Sequence, residues 1–491
     1  MLFIALLCLP FAAALASWFI PADGPRRVLL LATAGGELLL ALSCWVVPPQ
    51  PLGEELFMLD PMGRIVLTLT TILFFAASLY AVGYLRGEET GERKDFQQGL
   101  HFSNAPEATF TACLLLFLTS SVLAAVTRHL GLLWVGIETT TLVSAPLIYF
   151  HRHRRSLEAT WKYLLICSVG IALALIGNVL LDISMQTQGQ PAPDMGVGSL
   201  IRNSANVHPG WFKAAFVFLL IGYGTKMGVA PMHTWLPDAH SEAPSLVSAL
   251  LSGALLNCAF LGIFRVYQVS LAAGLGDFSS SLLLAFGFFS MFMAAMFIIG
   301  QGDFKRMLAY SSVEHMGILL IALGTGLEAA RGGVLHMVNH SLTKAALFLL
   351  AGNILARYST KSSHDVTGLG KTLPFTGPLW LAGIIAIVGS PPFGLFISEY
   401  SVLQGLLHRE NFWLAALYLG FLGIIFVGMI TPVLRMYQGR APHGIKPAAR
   451  ENLLLTGPSF CLLLAVLALG LIMPGWLAEA LNQAAALGLK P

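Results

Sequence analysis

Charge is the scarcest thing in this sequence. Of 491 residues only 11% are charged, against 56% that are hydrophobic, and the mean hydropathy is +0.75. A typical soluble domain has about 25% charged residues. A soluble protein this poor in charge could not cover its surface with polar groups, so a water-soluble enzyme is excluded and a lipid bilayer is implied. The net charge is small too, at +3, which excludes a nucleic-acid footprint. Cysteine is sparse and scattered, at Cys8, Cys44, Cys113, Cys167, Cys258 and Cys461. None forms C-x-x-C and most sit inside apolar runs. That argues against a cysteine-ligated iron–sulfur or zinc site and against a disulfide framework; the thiols read as buried and inert. Long polar stretches are missing as well. The two longest, about 86–107 and 184–211, leave no room for a nucleotide-binding domain. Gly222-Tyr-Gly224 follows no strand. Gly370-Lys371-Thr372 has Asp365 where a phosphate-binding loop needs glycine, so neither is a nucleotide motif.

What the chain has in abundance is apolar runs of membrane-spanning length. A helical span needs about 20 mostly apolar residues. Fourteen candidates fit, at 2–20, 28–47, 62–85, 108–127, 130–150, 162–183, 212–230, 243–264, 282–300, 308–327, 333–356, 377–404, 412–436 and 453–473. A transmembrane barrel would need ten-residue alternating segments instead. The fold class expected is therefore all-α, a polytopic membrane protein. Basic residues set its orientation. Connections after odd-numbered spans hold 18 of the 28 Lys and Arg residues, among them Arg152, Arg154, Arg155, Lys305, Arg306 and Lys361; connections after even-numbered spans hold seven. The positive-inside bias puts the odd connections in the cytoplasm and both termini outside, in the plasma (inner) membrane. Ala14-Leu15-Ala16 resembles a cleavage site, but Arg26 and Arg27 follow the first run and no charge precedes it. That is the wrong polarity for a secretory signal, and the run is read as a retained span.

Against this background a few buried charges stand out. A Lys, Arg or Asp at the centre of a span costs about 2.5–3.5 kcal/mol on insertion scales, and such residues mark ion paths. Glu138 lies in LLWVGIETTTLV, where a purely structural acid would bond to Thr140 or Thr141. Lys226 lies among Gly222, Gly224, Gly228 and Pro231. Glycine and proline weaken the helix there, and a broken span beside a buried charge is a transporter feature. The bland alternative is a lysine that snorkels to the interface. His336, His340 and Lys344 are spaced i, i+4, i+8 on one helical face. His336-x3-His340 has metal-ligand spacing, but no carboxylate or cysteine joins it in sequence. A proton relay fits it better, since histidine titrates near neutral pH, and no metal is expected. Glu399 follows a second break at Pro391, Pro392 and Gly394. Two broken helices five spans apart point to an internal repeat.

At these residues the sequence resembles a known family. KMGVAPMHTWLPDAHSEAP, DFKRMLAYSSVEHMG, HMVNHSLTKAALF and SPPFGLFISEY, within roughly 100–440, are similar to the antiporter-like subunits of complex I, the proton-translocating NADH:quinone oxidoreductase, and of group 4 membrane hydrogenases. Multisubunit cation/proton antiporters share the same core. The resemblance implies 14 helices, with spans 4–8 (108–268) and 9–13 (282–440) as inverted five-helix repeats whose helices 7 and 12 are broken. Three helices (1–107) precede the repeats and one (450–491) follows, with no room for the long lateral helix of the largest such subunits. It implies a hydrated axis at mid-membrane along Glu138, Lys226, His336, His340, Lys344 and Glu399. Trp235, Pro237 and Asp238 match the signature after the break, and Asp303, Lys305 and Arg306 match a cytoplasmic motif. One departure matters: Asn257 stands where related subunits carry Lys, and Ser252 where others carry His. Neither holds a proton, so water must bridge Lys226 to Lys344, with Glu314 and His315 as auxiliary groups.

The function implied is proton translocation coupled to a respiratory-type redox complex, of the hydrogenase-4/formate hydrogenlyase or NADH dehydrogenase kind. No cofactor is expected in this chain. Electron carriers belong to a peripheral arm of Fe–S proteins with a hydrogenase or dehydrogenase module, and further partners are other membrane subunits and lipid. Two other readings stay open: a membrane scaffold that has lost pumping, motivated by Asn257, and a subunit of a Na⁺/proton antiporter.

Overall fold

A backbone surrounded by lipid must satisfy its own N–H and C=O groups, and a helix does so within one segment. The apolar runs form such helices. The computed structural model describes residues 1–53, 55–88, 91–94, 99, 101–186, 193–448 and 450–487. Among these, thirteen helical stretches are long and apolar enough to cross a membrane: Leu2–Phe19, Asp23–Val46, Pro61–Gly87, Glu107–Val126, Leu130–Ile148, Arg154–Met185, Pro209–Glu242, Ser245–Ala272, Gly276–Ile298, Phe304–Thr325, Leu327–Tyr358, Phe412–Tyr437 and Leu453–Leu471. The crossing expected at 377–404 is present as two shorter helices, Thr376–Ile387 and Gly394–His408. With it, all fourteen spans of the sequence reading are found, and span numbers below follow that order.

Helix ends deviate from the sequence reading where polar side chains prolong a helix past its apolar run. Span 6 starts at Arg154 rather than 162, and span 8 continues to Ala272 rather than 264. Side-chain caps fix several starts. The Asp60 carboxylate accepts from Gly63 N at 2.6 Å below span 3. Asp303 accepts from the backbone of Lys305 and Arg306 at 2.8 and 3.0 Å below span 10. The connection after span 3 adds a small antiparallel hairpin, Glu92–Lys94 with His101–Ser103. In the loop 184–211, a short helix forms at Val197–Arg202, and residues 187–192 lie outside the described part. A helix absent from the sequence reading, Gly475–Leu487, follows span 14 and lies against spans 3 and 11.

Spans 8, 10 and 11 form the buried centre, while spans 1, 2, 13 and 14 are mostly peripheral. The most extensive pairings are span 6 with the first half of span 7, 9 with 10, 11 with the second half of 12, and 4 with 5. Small residues allow this closeness, as is usual between membrane helices. A Cβ on Gly222 would run into Ala174 and the Gly170 carbonyl, and one on Gly317 into the Gly287 carbonyl.

Candidate functional site

Span 7 ends its first half at Met227. Gly228 takes a left-handed conformation (φ +80°), and a second helix, Trp235–Glu242, resumes after a turn. The break leaves the carbonyls of the last turn free, and Trp235 Nε1 donates to one of them, Thr225 O, at 2.8 Å. Lys226 sits in that last turn, fully buried. Its Nζ donates to Tyr163 Oη at 2.9 Å and lies 4.8 Å from the tyrosine ring centre. Ser144 Oγ is 2.7 Å from Tyr163 Oη and also donates to Thr141 O at 3.2 Å, while Thr141 Oγ1 donates to the Glu138 carboxylate at 3.1 Å. Because the serine hydrogen goes to Thr141, Tyr163 must donate to Ser144 and accept from Lys226. Glu138 therefore bonds to Thr141, the partner the sequence allowed. Among the described residues no ion pair joins it directly to Lys226, although the two remain within electrostatic reach. Tyr163 is a residue that sequence reasoning missed, because a lone tyrosine in an apolar helix gives no signal.

Span 8 crosses the centre with one π-helical turn, Leu251–Leu255. Asn257 supplies a local cause. Its Nδ2 donates to Gly253 O at 2.6 Å, the carbonyl that a regular helix reserves for the Asn257 N–H. Asn257 Nδ2 also reaches Ser341 Oγ on span 11 at 2.8 Å, and Ser252 Oγ meets Ser312 Oγ on span 10 at 3.0 Å. The middle of the line is thus two neutral crosslinks.

Beyond it, Lys344 is fully buried. Its Nζ donates to Leu308 O at 2.6 Å and touches Ser311 Oγ. Glu314 is within electrostatic reach of both Lys344 and Glu399. His340 is fully buried and neither ring nitrogen has a partner among the described residues. Its ring lies 4.9 Å from that of His315, whose Nδ1 is 2.9 Å from His336 Nε2. His336 Nδ1 in turn meets Ser398 Oγ at 2.9 Å. Glu399 is one residue further on, in the second half of span 12, and its Oε1 has no partner among the described residues. Gly389, left-handed at φ +68° in the break, leaves space for that carboxylate; a Cβ there would run into it. The auxiliary groups Glu314 and His315 thus lie at the heart of the second cluster, and His315 joins His336 across two helices. Another residue the sequence reading passed over is His240, buried in the second half of span 7 and stacked on Phe348 at 4.9 Å. It is within electrostatic reach of Lys305, Lys344 and His340.

Where the basic connections gather, charged residues tie the elements together. Asp238 meets Arg306 and, at 3.0 Å, Lys162. Glu242 meets Lys361 at 2.9 Å and Arg155 at 3.5 Å, Ser241 Oγ donates to Asp303 at 2.7 Å, and Lys305 Nζ donates to Ala243 O at 2.7 Å. Ser241, Glu242, Lys305 and Lys361, with His151, border a cavity of about 420 Å³. The matched motif Asp303-Phe-Lys305-Arg306 is in this arrangement a clamp on the second half of span 7.

Comparison with known proteins places these features in context. A sequence profile described as the NADH:quinone oxidoreductase/Mrp antiporter transmembrane family matches residues 127–426. The chain is 36% identical over 422 residues to the hydrogenase-4 component F homolog of Methylacidiphilum infernorum, covering 85% of this chain and 86% of that protein. It is 29% identical to hydrogenase-4 component B of Escherichia coli, over 73% of this chain but about half (52%) of that longer protein. In fold it resembles a chain of the Mrp complex from Dietzia, with a TM-score of 0.83 at 22% identity, covering 100% of this chain and 98% of the other.

Proposed function

The chain belongs to the NADH:quinone oxidoreductase/Mrp antiporter transmembrane family, and from that membership we propose that it is the proton-translocating membrane subunit of a redox-driven complex. One observation carries the reading. A line of ionisable and hydroxyl groups, half-buried at Glu138 and buried beyond it, runs through Tyr163, Lys226, the Asn257–Ser341 and Ser252–Ser312 crosslinks, Lys344 and the three histidines to Glu399. Nothing in a purely structural bundle calls for such a line, since each buried charge costs free energy unless it is used or paired.

In this reading the connections after odd-numbered spans face the cytoplasm, both termini face outward, and the membrane is the plasma membrane. Spans 4–8 and 9–13 act as two inverted units, consistent with pairings 4·5 and 6·7 recurring as 9·10 and 11·12. Protons enter from the cavity bordered by Glu242 and Lys305, by way of His240, to Lys344. Glu138 holds the Lys226 ammonium electrostatically through Thr141 and Tyr163. When an event in a neighbouring subunit draws Glu138 away, Lys226 releases its proton. Water at the unpartnered Asn257 Oδ1 and His340 nitrogens bridges the neutral centre. Glu399 passes the proton on. Coupling is reciprocal, so the redox partner drives transport and is driven by it. Electron carriers sit in a peripheral Fe–S arm with a hydrogenase or dehydrogenase module, and the chain binds no cofactor itself.

The neutral centre favours one rival, a scaffold that no longer pumps. The test is the native complex, purified through a tag on this chain, with proton uptake measured in inverted vesicles. In Lys226→Ala, redox turnover is expected to persist or slow while proton uptake falls at least tenfold. Unchanged assembly, turnover and uptake would remove Lys226 from the ion path and leave the scaffold. Uptake that requires Na⁺ on the opposite side would mark a cation exchanger.

A further inference from the structure

His315, His336 and Glu399 come from three different spans, yet one ligand-type atom of each lies within 4.8 Å of those of the other two. All three residues are buried. Two imidazoles and a carboxylate, with a fourth position left for water, are a ligand set that zinc accepts. Sequence spacing pointed only to His336 and His340; His315 and Glu399 are invisible there because they arrive from other helices.

The hydrogen bonds prepare the set. Ser398 Oγ donates to Leu395 O at 2.7 Å, so it accepts from His336 Nδ1–H. That fixes the tautomer, leaves the lone pair on His336 Nε2, and orients the ring as outer-shell partners of metal ligands do. His336 Nε2 faces His315 Nδ1 at 2.9 Å. Tetrahedral Zn–N bonds of about 2.0–2.1 Å space two ligands at roughly 3.3 Å, so the two imidazoles open by a few tenths of an ångström while Glu399, within 4.8 Å, closes on the ion. To ligate through Nδ1, neutral His315 shifts its one proton from Nδ1 to Nε2; that nitrogen and Glu399 Oε1 have no hydrogen-bond partner among the described residues. A way in exists. A cavity of about 320 Å³ is walled by Glu328, Arg331, Gly332, Leu335, Ser401 and His408. Gly332 is one helical turn from His336 on the same face, and Ser401 one turn from Ser398. The His408–Glu328 pair at the mouth attracts a divalent cation; Arg331 opposes it.

We propose that His315, His336 and Glu399 form a binding site for a borderline divalent metal ion of the Zn²⁺ type, reached through this cavity, and that an ion held there stops proton transfer. It clamps spans 10, 11 and 12 together and occupies the lone pairs the proton needs. Binding stands on the coordination set alone; only the block rests on the proposed proton path.

The full chain, untagged by histidine and carrying Cys8→Ser and Cys461→Ser to remove exposed thiols, is placed in nanodiscs and titrated with Co²⁺. One equivalent with the intense visible bands of a low-coordinate site is expected, displaced by Zn²⁺. Affinity falls about a hundredfold or more in His336→Gln and in His315→Gln. Glu399→Asp, which keeps a carboxylate, shifts the bands without abolishing them, and His129→Gln leaves the titration unchanged. A titration with no such bands, or one indifferent to both span-10 and span-11 variants, overturns the site. In inverted vesicles of the complex, Zn²⁺ trapped inside is expected to slow proton uptake, whereas Zn²⁺ added outside is not. Uptake unaffected by trapped Zn²⁺ in a chain that binds it overturns the block. Zn²⁺ binding in a complex that never pumps supports the site and removes the proton-path reading instead.

Discussion

At the scale of single residues, the first half of the line depends on a hydroxyl. Among the described residues Lys226 has no carboxylate in direct contact; it donates to Tyr163, which hands on to Ser144 and Thr141 beside Glu138. Tyr163→Phe keeps the ring that lies 5.0 Å from Trp235 and removes only the oxygen. A hydrogen bond to a charged group contributes about 1.5–3 kcal/mol, so proton uptake is expected to fall roughly ten- to a hundredfold with assembly intact. Equal uptake in the variant would mean that Glu138 and Lys226 communicate by another route. The same chain explains what was legible in the sequence. Glu138, Lys226, Lys344 and Glu399 stood out because charge is rare in apolar runs. Tyr163, Ser398 and His240 did not, because a tyrosine, a serine and a histidine in a helix are ordinary until the partner from a distant span is known.

At the scale of elements, the two breaks do more than interrupt hydrogen bonding. Each places a left-handed glycine beside a working group: Gly228 two residues after Lys226, and Gly389 against the Glu399 carboxylate. Gly389→Ala faces two penalties at once. A non-glycine residue in that conformation costs about 1–2 kcal/mol, and the new methyl displaces the carboxylate. Proton uptake by the complex is expected to drop more than tenfold, while Gly420→Ala on span 13, where a Cβ meets nothing, leaves it unchanged. Retained uptake in Gly389→Ala would separate Glu399 from the path. The breaks themselves were readable, because Gly and Pro inside an apolar run have few other uses. The exact helix ends were not. Span 6 gained eight residues at its start because Arg154, Arg155, Glu158 and Lys162 can stay helical while reaching polar surroundings. The π turn in span 8 depends on an Asn257 side-chain bond that no periodicity reveals.

At the scale of the whole molecule, the question is how the first five-span unit moves with the second. The buried centre joins the units by neutral hydrogen bonds, among them Asn257–Ser341, Ser252–Ser312 and Ala230 N to Ser290 Oγ. The charged connection lies at the basic face. There Glu242, at the end of span 7, holds Arg155 from the start of span 6 and Lys361 from the connection after span 11. Asp238, one turn earlier, meets Arg306 at the start of span 10. Ion pairs, beside the His240–Phe348 stack, therefore tie the second half of span 7 to span 10 and to the connection after span 11. Breaking a fully buried pair costs about 3–5 kcal/mol and a surface pair at most about 1 kcal/mol. Glu242 and Lys361 lie between these limits, with side chains 13% and 5% exposed. Glu242→Gln is expected to lower stability by about 1–3 kcal/mol, read as an earlier thermal unfolding of the chain in nanodiscs. It also leaves each half with its own ionisable groups. If the clamp carries the coupling, redox turnover in this variant continues while the ratio of protons moved per turnover falls, and Glu242→Asp restores part of it. A fall in stability with the ratio unchanged would make the clamp structural and shift the coupling to the hydroxyl crosslinks of span 8.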